Sequence, residues 1–228
     1  MKGLAASLTD YSDPRSLGFR LRARRASALI ELIRSAAATG RKVDILDVGG
    51  VRTYWNILPD GFIADHVRRI VLFNLEPPGE TPAGETIFEC VTGDACDLPF
   101  GDNEFDLVHS NSVIEHVGGW ARMKAFAGEL RRVAPKYFVQ TPSFWFPVEP
   151  HYVMPFIHWL PGPMKAAAFR WVGTPRGGRS RSMDDAMSRV EAAPVLLDLA
   201  SFQALFPDGR MRRERILLLT KSLIAIRR

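Results

Sequence analysis

Short, wholly apolar segments recur along this chain between turn residues and helical stretches, and that alternation restricts the fold more than any other feature. The first is VDILDVGG, in which Val43, Ile45, Leu46 and Val48 run directly into Gly49 and Gly50. IVLFNL (70–75), TIFECV (86–91), FDLV (105–108) and YFVQ (137–140) repeat the pattern. A run of apolar residues without polar alternation is the mark of a strand buried on both faces, as in a parallel sheet covered by helices. Parallel strands need crossover connections, and the segment 120–133 has helical spacing to supply one. The chain is therefore expected to form an α/β fold with a mostly parallel sheet.

Outside that core the sequence divides further. Ser12-Asp13-Pro14 is a helix-start signal, followed by Leu17, Leu21, Ala28, Leu29, Leu32, Ile33 and Ala36 at helical spacing, with Gly40 as the stop. Residues after Pro142 are dense in aromatics and prolines, so an ordered insertion or lid is expected there rather than regular strands. Segments 182–193 and 198–206 read as short helices, and 211–220 with 222–226 as a terminal hairpin. The resulting division is one domain over 1–228. It comprises an N-terminal helical segment (1–42), a core (43–141), an insertion with helices (142–200) and a closing helix end and hairpin (201–228).

Composition narrows the classes. Of the 228 residues, 46% are hydrophobic and 24% charged, enough apolar content for a sizeable core and too much for a disordered chain. Cys90 and Cys96 are the only cysteines, which excludes a disulfide framework or a four-cysteine zinc site and favours a reducing, cytoplasmic setting. No apolar run reaches the length of a membrane span. The net charge of +5 is concentrated in 15–42 and 210–228, where basic residues far outnumber acidic ones. Without interleaved aromatics, these clusters read first as solvated faces, and only second as a phosphate- or lipid-binding surface.

In an open parallel sheet the ligand crevice lies at the carboxyl ends of the strands. Asp47-Val48-Gly49-Gly50, Asn74-Leu75-Glu76, Gly93-Asp94-Ala95 and Ser110-Asn111-Ser112 would converge there. Glycines allow close approach of backbone to ligand, and carboxylates accept from ribose hydroxyls or an adenine amino group. The order LDVGG, NLEPP, GDACDLPFGDNEFDLVHSNSVIEHV resembles the class I S-adenosylmethionine-dependent methyltransferases, especially the small-molecule branch with a GDA-x-x-LPF pattern. The resemblance covers residues 43–141, and the closing hairpin matches the reversed last strand of that family. It implies a Rossmann-like, mostly parallel seven-stranded sheet with an antiparallel last strand, helices on both faces and the insertion after strand five.

The resemblance also implies S-adenosylmethionine as cofactor. It places Asp47 and Gly49 at the methionine end, with Gly50 also at the cofactor, Glu76 at the ribose, Asp94 with Ala95 at the adenine, and Asn111 as a backbone contact beside the methyl group. Val51 and Thr53 stand where the family often has further glycines, and Asn74 where an acidic residue often ends the second strand.

Methyl transfer is an in-line displacement, so positioning donor and nucleophile supplies most of the acceleration and a base is optional. Where a base is used, His116, His151 and Glu149 are the candidates, with Glu149 orienting His151; His158 reads as a packed core histidine. Asp102-Asn103 falls before the fourth strand, where it cannot complete an oxygen-ligand metal site, so no metal is expected. Ser110-Asn111-Ser112-Val113 lacks the Asn/Asp-Pro-Pro-aromatic signature of nucleobase amino methylases, so nucleic acid is disfavoured as acceptor. The expected acceptor is a hydroxyl or amine of a small or carrier-linked metabolite. Alternatives are an RNA methyltransferase, suggested by the basic ends, and a non-catalytic binding protein, suggested by the altered glycine turn. Peripheral contact of the aromatic, arginine-bearing insertion with an anionic membrane is a lesser expectation.

Overall fold

The computed structural model describes residues 17–38, 40–77 and 86–228, with side chains from residue 26 onward. Seven strands form the main sheet: β1 (Val43–Val48), β2 (Val67–Asn74), β3 (Phe88–Thr92), β4 (Leu107–Asn111), β5 (Lys136–Pro142), β8 (Arg210–Ile216) and β9 (Leu219–Arg227). Their order is β3-β2-β1-β4-β5-β9-β8. β1 to β5 pair in parallel, and β9 runs antiparallel to both its neighbours. The sequence expectation of a parallel sheet with one reversed strand agrees with this arrangement.

Alternate residues of β1 serve opposite faces. Val43 and Ile45 pack with Leu29, Leu32 and Ile33 of helix α1 (Leu17–Ala37), whereas Leu46 and Val48 pack with Phe126 and Leu130 of α3 (Trp120–Val133). Phe202 of α6 (Leu199–Leu205) joins the second cluster. Gly40 stops α1 at φ +81°, a conformation glycine adopts without strain. The helix-start signal at 12–14 lies outside the described residues.

After Gly50 the chain forms a 3-10 turn (Arg52–Ile57) and the short helix α2 (Phe62–His66) before β2. The insertion contains the two-residue strands β6 (Val148–Glu149) and β7 (Met154–Pro155), helices α4 (Gly162–Ala167) and α5 (Met183–Glu191), and a π-helical turn (Ala168–Val172). Its own small core is Ile157, Ala166, Phe169 and Ala186. Ser182 and Asp198, where the two short helices were expected to start, cap α5 and α6 by accepting from Asp185 N–H and Ser201 N–H.

Several strand boundaries differ from expectation by a few residues, β2 starting at Val67 and β3 at Phe88 among them, and two of the differences have a visible cause. β4 begins at Leu107, because Asp106 accepts from Asp44 N–H at 2.8 Å and from Arg41 at the strand entrance. The hairpin turns at Leu217 and Leu218, each 91% exposed, so part of the apolar stretch 211–220 is a turn. The arginines of β8 lie on an edge strand, where charge discourages pairing with another chain.

At the opposite end of the sheet from the strand-end glycines, Asp208 accepts from Tyr137 Oη at 2.7 Å and Arg227 at 2.7 Å. Burial opposes its ionisation, but these bonds outweigh burial and hold the carboxyl at about 2. A carboxyl pKa lowered by folding adds stability above its unfolded value, and that contribution disappears as pH falls through the folded value. Asp208→Asn should therefore cost about 2 kcal/mol at pH 7 and almost nothing near pH 2. Urea unfolding at both pH values tests this, and an equal loss at both would refute the charge-based account.

Candidate functional site

The carboxyl ends of β1, β2 and β3 are tied together by backbone bonds. Gly49 N–H donates to Phe73 O at 2.8 Å, Gly93 N–H to Asn74 O at 2.9 Å, and Asn74 Nδ2 to Gly50 O at 3.0 Å. Asn74 thus braces the glycine turn. Gly49 has φ +73°, and a Cβ there would overlap Val113 Cγ2; a Cβ on Gly93 would lie 2.8 Å from the Phe73 ring. At Gly49 both the left-handed backbone and the neighbour favour glycine, whereas at Gly93 a side chain would have to displace the Phe73 ring.

These strand ends border an open cleft of about 460 Å³. Gly49, Glu76, Asp94, Ala95, His116 and Arg122 stand in its wall together with Val48, Val113 and Val117. This size and mixture of apolar wall with a few polar groups suit a nucleoside-sized ligand. Of the residues nominated from sequence for cofactor binding, Gly49, Glu76, Asp94 and Ala95 line the cleft; Asp47, Gly50 and Asn111 stand outside the wall.

Asp47 is fully buried. Its Oδ2 accepts from Trp55 Nε1 at 2.8 Å and its Oδ1 lies 2.6 Å from His109 Nδ1. The Asp47 carboxylate also lies where a Gly50 side chain would have to go, so Gly50 leaves it room. Asp94 accepts from Cys96 N–H at 2.9 Å and from Arg122 at 2.8 Å on both oxygens. Those two donors hold its carboxyl below the usual range, leaving an ionised acceptor on the cleft. Sequence reasoning missed Arg122, whose place in helix α3 gives no sign of a partner 28 residues earlier.

At the edge of the cleft nearest β4, residues distant in sequence come together. His116 ends a 3-10 turn (Ile114–His116), and His151 sits between β6 and β7. Their Nε2 atoms are 3.1 Å apart. His151 Nδ1 lies 2.5 Å from Glu149 Oε1, and Tyr152 N–H donates to Glu149 Oε2 at 2.6 Å. Burial raises the Glu149 carboxyl, but these bonds prevail and keep it ionised below the usual range. With Nδ1–H committed to Glu149, His151 turns its Nε2 lone pair toward His116. Burial, then the proximity of His151, lowers the His116 pKa. Ser112 and Val153 have φ of +59° and +56°, strained backbone for non-glycine residues, in the two loops that carry these histidines, and Phe156, just after β7, has φ +60°.

Glu115, beside His116, was not nominated. It is buried, its Oε2 accepts from Thr141 Oγ1 at 2.9 Å, and burial pushes its carboxyl up to about 7. His158 Nε2–H donates to Phe144 O at 2.9 Å, since a carbonyl oxygen only accepts. It packs against Phe144 and Trp159, a structural role.

The cleft fits S-adenosylmethionine in its donor and acceptor set: a side-chain-free strand end at Gly49, carboxylates at Glu76 and Asp94, and the aliphatic wall of Ala95, Val113 and Val117. No helix among the described residues is long and apolar enough to cross a membrane.

Residues 65–136 match the family model described as a methyltransferase domain. No curated protein matches the chain. Among solved structures, the methyltransferase domain of bacterial CtHen1 is similar at 13% identity and a TM-score of 0.51, covering 90% of this chain and 98% of that one. A Pyrococcus horikoshii protein is similar at 15% identity and TM-score 0.50 (95% and 93% covered). An S-adenosylmethionine-dependent methyltransferase from Mesorhizobium loti is similar at 12% identity and TM-score 0.50 (85% and 96% covered). At these identities the likeness is one of fold. Residues 65–136 are thus similar to a methyltransferase domain, and the chain shares its fold with these structures, two of which are named as methyltransferases.

Proposed function

We propose that this protein transfers a methyl group from S-adenosylmethionine to a hydroxyl or amine of a small or carrier-linked metabolite. The observation that supports this most is the position of His116 in the cleft wall with His151 and Glu149 behind it. The cofactor supplies an electrophilic methyl group on a sulfonium. Glu76 and Asp94 fix the nucleoside, and the turn at Gly49 lets the chain approach the amino-acid end closely. His116 and His151 stand where an acceptor would enter, and Glu149 is a positioning residue that orients the His151 ring.

Calorimetry with S-adenosylmethionine and S-adenosylhomocysteine tests the pocket. Both should bind saturably, and Asp94→Ala and Glu76→Ala should each weaken binding about tenfold or more, equivalent to about 1.4 kcal/mol. No binding at millimolar ligand would discard the reading. Labelled-methyl transfer to a panel of hydroxyl and amine acceptors tests the second half. His151→Ala should lower kcat on the active acceptor by about 10²–10⁴ while leaving S-adenosylhomocysteine affinity unchanged. Full activity in that variant would remove the histidine pair from the mechanism.

A further inference from the structure

We propose that Glu115, His116 and His151 form a site for a divalent first-row transition cation, Zn²⁺ foremost, with Glu149 positioning His151. The strongest sign is Glu115 Oε1. It is buried, has no hydrogen-bond partner and lies 3.9 Å from His151 Nε2. A buried carboxylate oxygen left unpaired is costly, and Thr141 satisfies only the other oxygen. A bound cation would supply the missing partner.

The rest of the cluster has the right chemistry. Both imidazoles present Nε2 to the same point, 3.1 Å apart, and one ligand atom from each of the three residues lies within 4.8 Å of the others. A cation at about 2.0–2.2 Å from each ligand holds them about 3–3.5 Å apart, which small side-chain rotations here would reach. His151 Nδ1 bonded to Glu149 reproduces the carboxylate–histidine arrangement that fixes the tautomer of a metal-ligating imidazole. Two nitrogens and one carboxylate oxygen select Zn²⁺, Co²⁺, Mn²⁺ or Fe²⁺ over Mg²⁺ and Ca²⁺, which prefer oxygen throughout. The expectation of no metal rested on Asp102-Asn103 as an oxygen-ligand pair; that pair is remote from this cluster, which draws its ligands from the loops after β4 and β6.

Three protein ligands leave coordination positions open, and His116 stands in the cleft wall. An acceptor hydroxyl bound at an open position would release its proton to solvent water more readily. That role rests on the methyl-transfer reading; cation binding itself does not.

The test uses the untagged, metal-stripped 228-residue chain with Cys90→Ser and Cys96→Ser, so that thiols cannot supply ligands. Zn²⁺ is titrated by calorimetry, and Co²⁺ by its visible absorption. One equivalent should bind with micromolar or tighter affinity. His116→Ala, in the cleft wall, should weaken binding at least about tenfold, and Glu149→Gln by about 10–100-fold, with thermal melting confirming that each variant is folded. Absence of saturable Zn²⁺ and Co²⁺ binding by the parent, or affinity unchanged in folded His116→Ala, overturns the site. S-adenosylhomocysteine calorimetry on the same samples reads the other pocket independently. Cation binding without it would sink the methyl-transfer reading alone, and the reverse would sink the cation site alone.

Discussion

Asp47→Ala should destabilise the protein by about 3–5 kcal/mol, because it removes the charged centre of a buried trio and leaves two ring nitrogens without their acceptor. Trp55 and His109 are almost wholly enclosed, and His109 Nε2 already lacks a hydrogen-bond partner. Water therefore cannot replace the lost carboxylate without opening the packing around Tyr54, Trp55 and Phe138. Asp47→Asn keeps an acceptor for Trp55 Nε1–H and should cost roughly half as much. Urea unfolding measures both. If Asp47 instead acts mainly on the methionine end of the cofactor, Asp47→Asn would weaken S-adenosylhomocysteine binding with stability preserved, and that result would overturn the packing account.

Gly49→Ala should abolish measurable S-adenosylhomocysteine binding, a loss of at least about a hundredfold, or about 2.7 kcal/mol. Two effects combine. The left-handed conformation at φ +73° costs a side chain about 1–2 kcal/mol, and the new methyl displaces Val113. Val113 leads directly into the turn that carries Glu115 and His116, so the displacement spreads from the glycine turn to the histidine cluster. Gly61→Ala is the control. Its φ is +76° but a Cβ there meets open space, so it should cost about 1–2 kcal/mol of stability and leave ligand affinity unchanged. Equal affinities in the parent and Gly49→Ala would show that this turn does not shape the binding site.

The strands were legible because their burial on two faces leaves no polar alternation, so β1, β2 and β5 stand out as apolar runs. Helix α3 was legible to its ends, since the apolar positions from Met123 to Val133 keep one face. Hydrophobicity misled at Leu217 and Leu218, where the hairpin turn is apolar yet exposed and nothing local distinguishes it from strand.

In the candidate site, Gly49, Glu76, Asp94 and Ala95 were legible as residues at strand ends. The direction of Asp47 was not, because only the later Trp55 and His109 draw it inward. Glu149 and His151 were legible as a local pair. Their meeting with Glu115 and His116 depends on how the insertion returns to the sheet. Val195 N–H donates to Glu115 O at 2.8 Å, and Ser143 bridges Leu197, two long-range contacts that no local pattern encodes.

The place of β9 between β5 and β8 has a consequence for biosynthesis. A ribosome delivers β8 before β9, yet β8 has no neighbour in the sheet except β9. The nascent chain can pair β1 to β5 as they emerge, but β8 must wait unpaired, its four arginines keeping it soluble. Only the arrival of Leu219–Arg227 joins it to the sheet and covers the free edge of β5, so the sheet is closed from the inside by a strand made late.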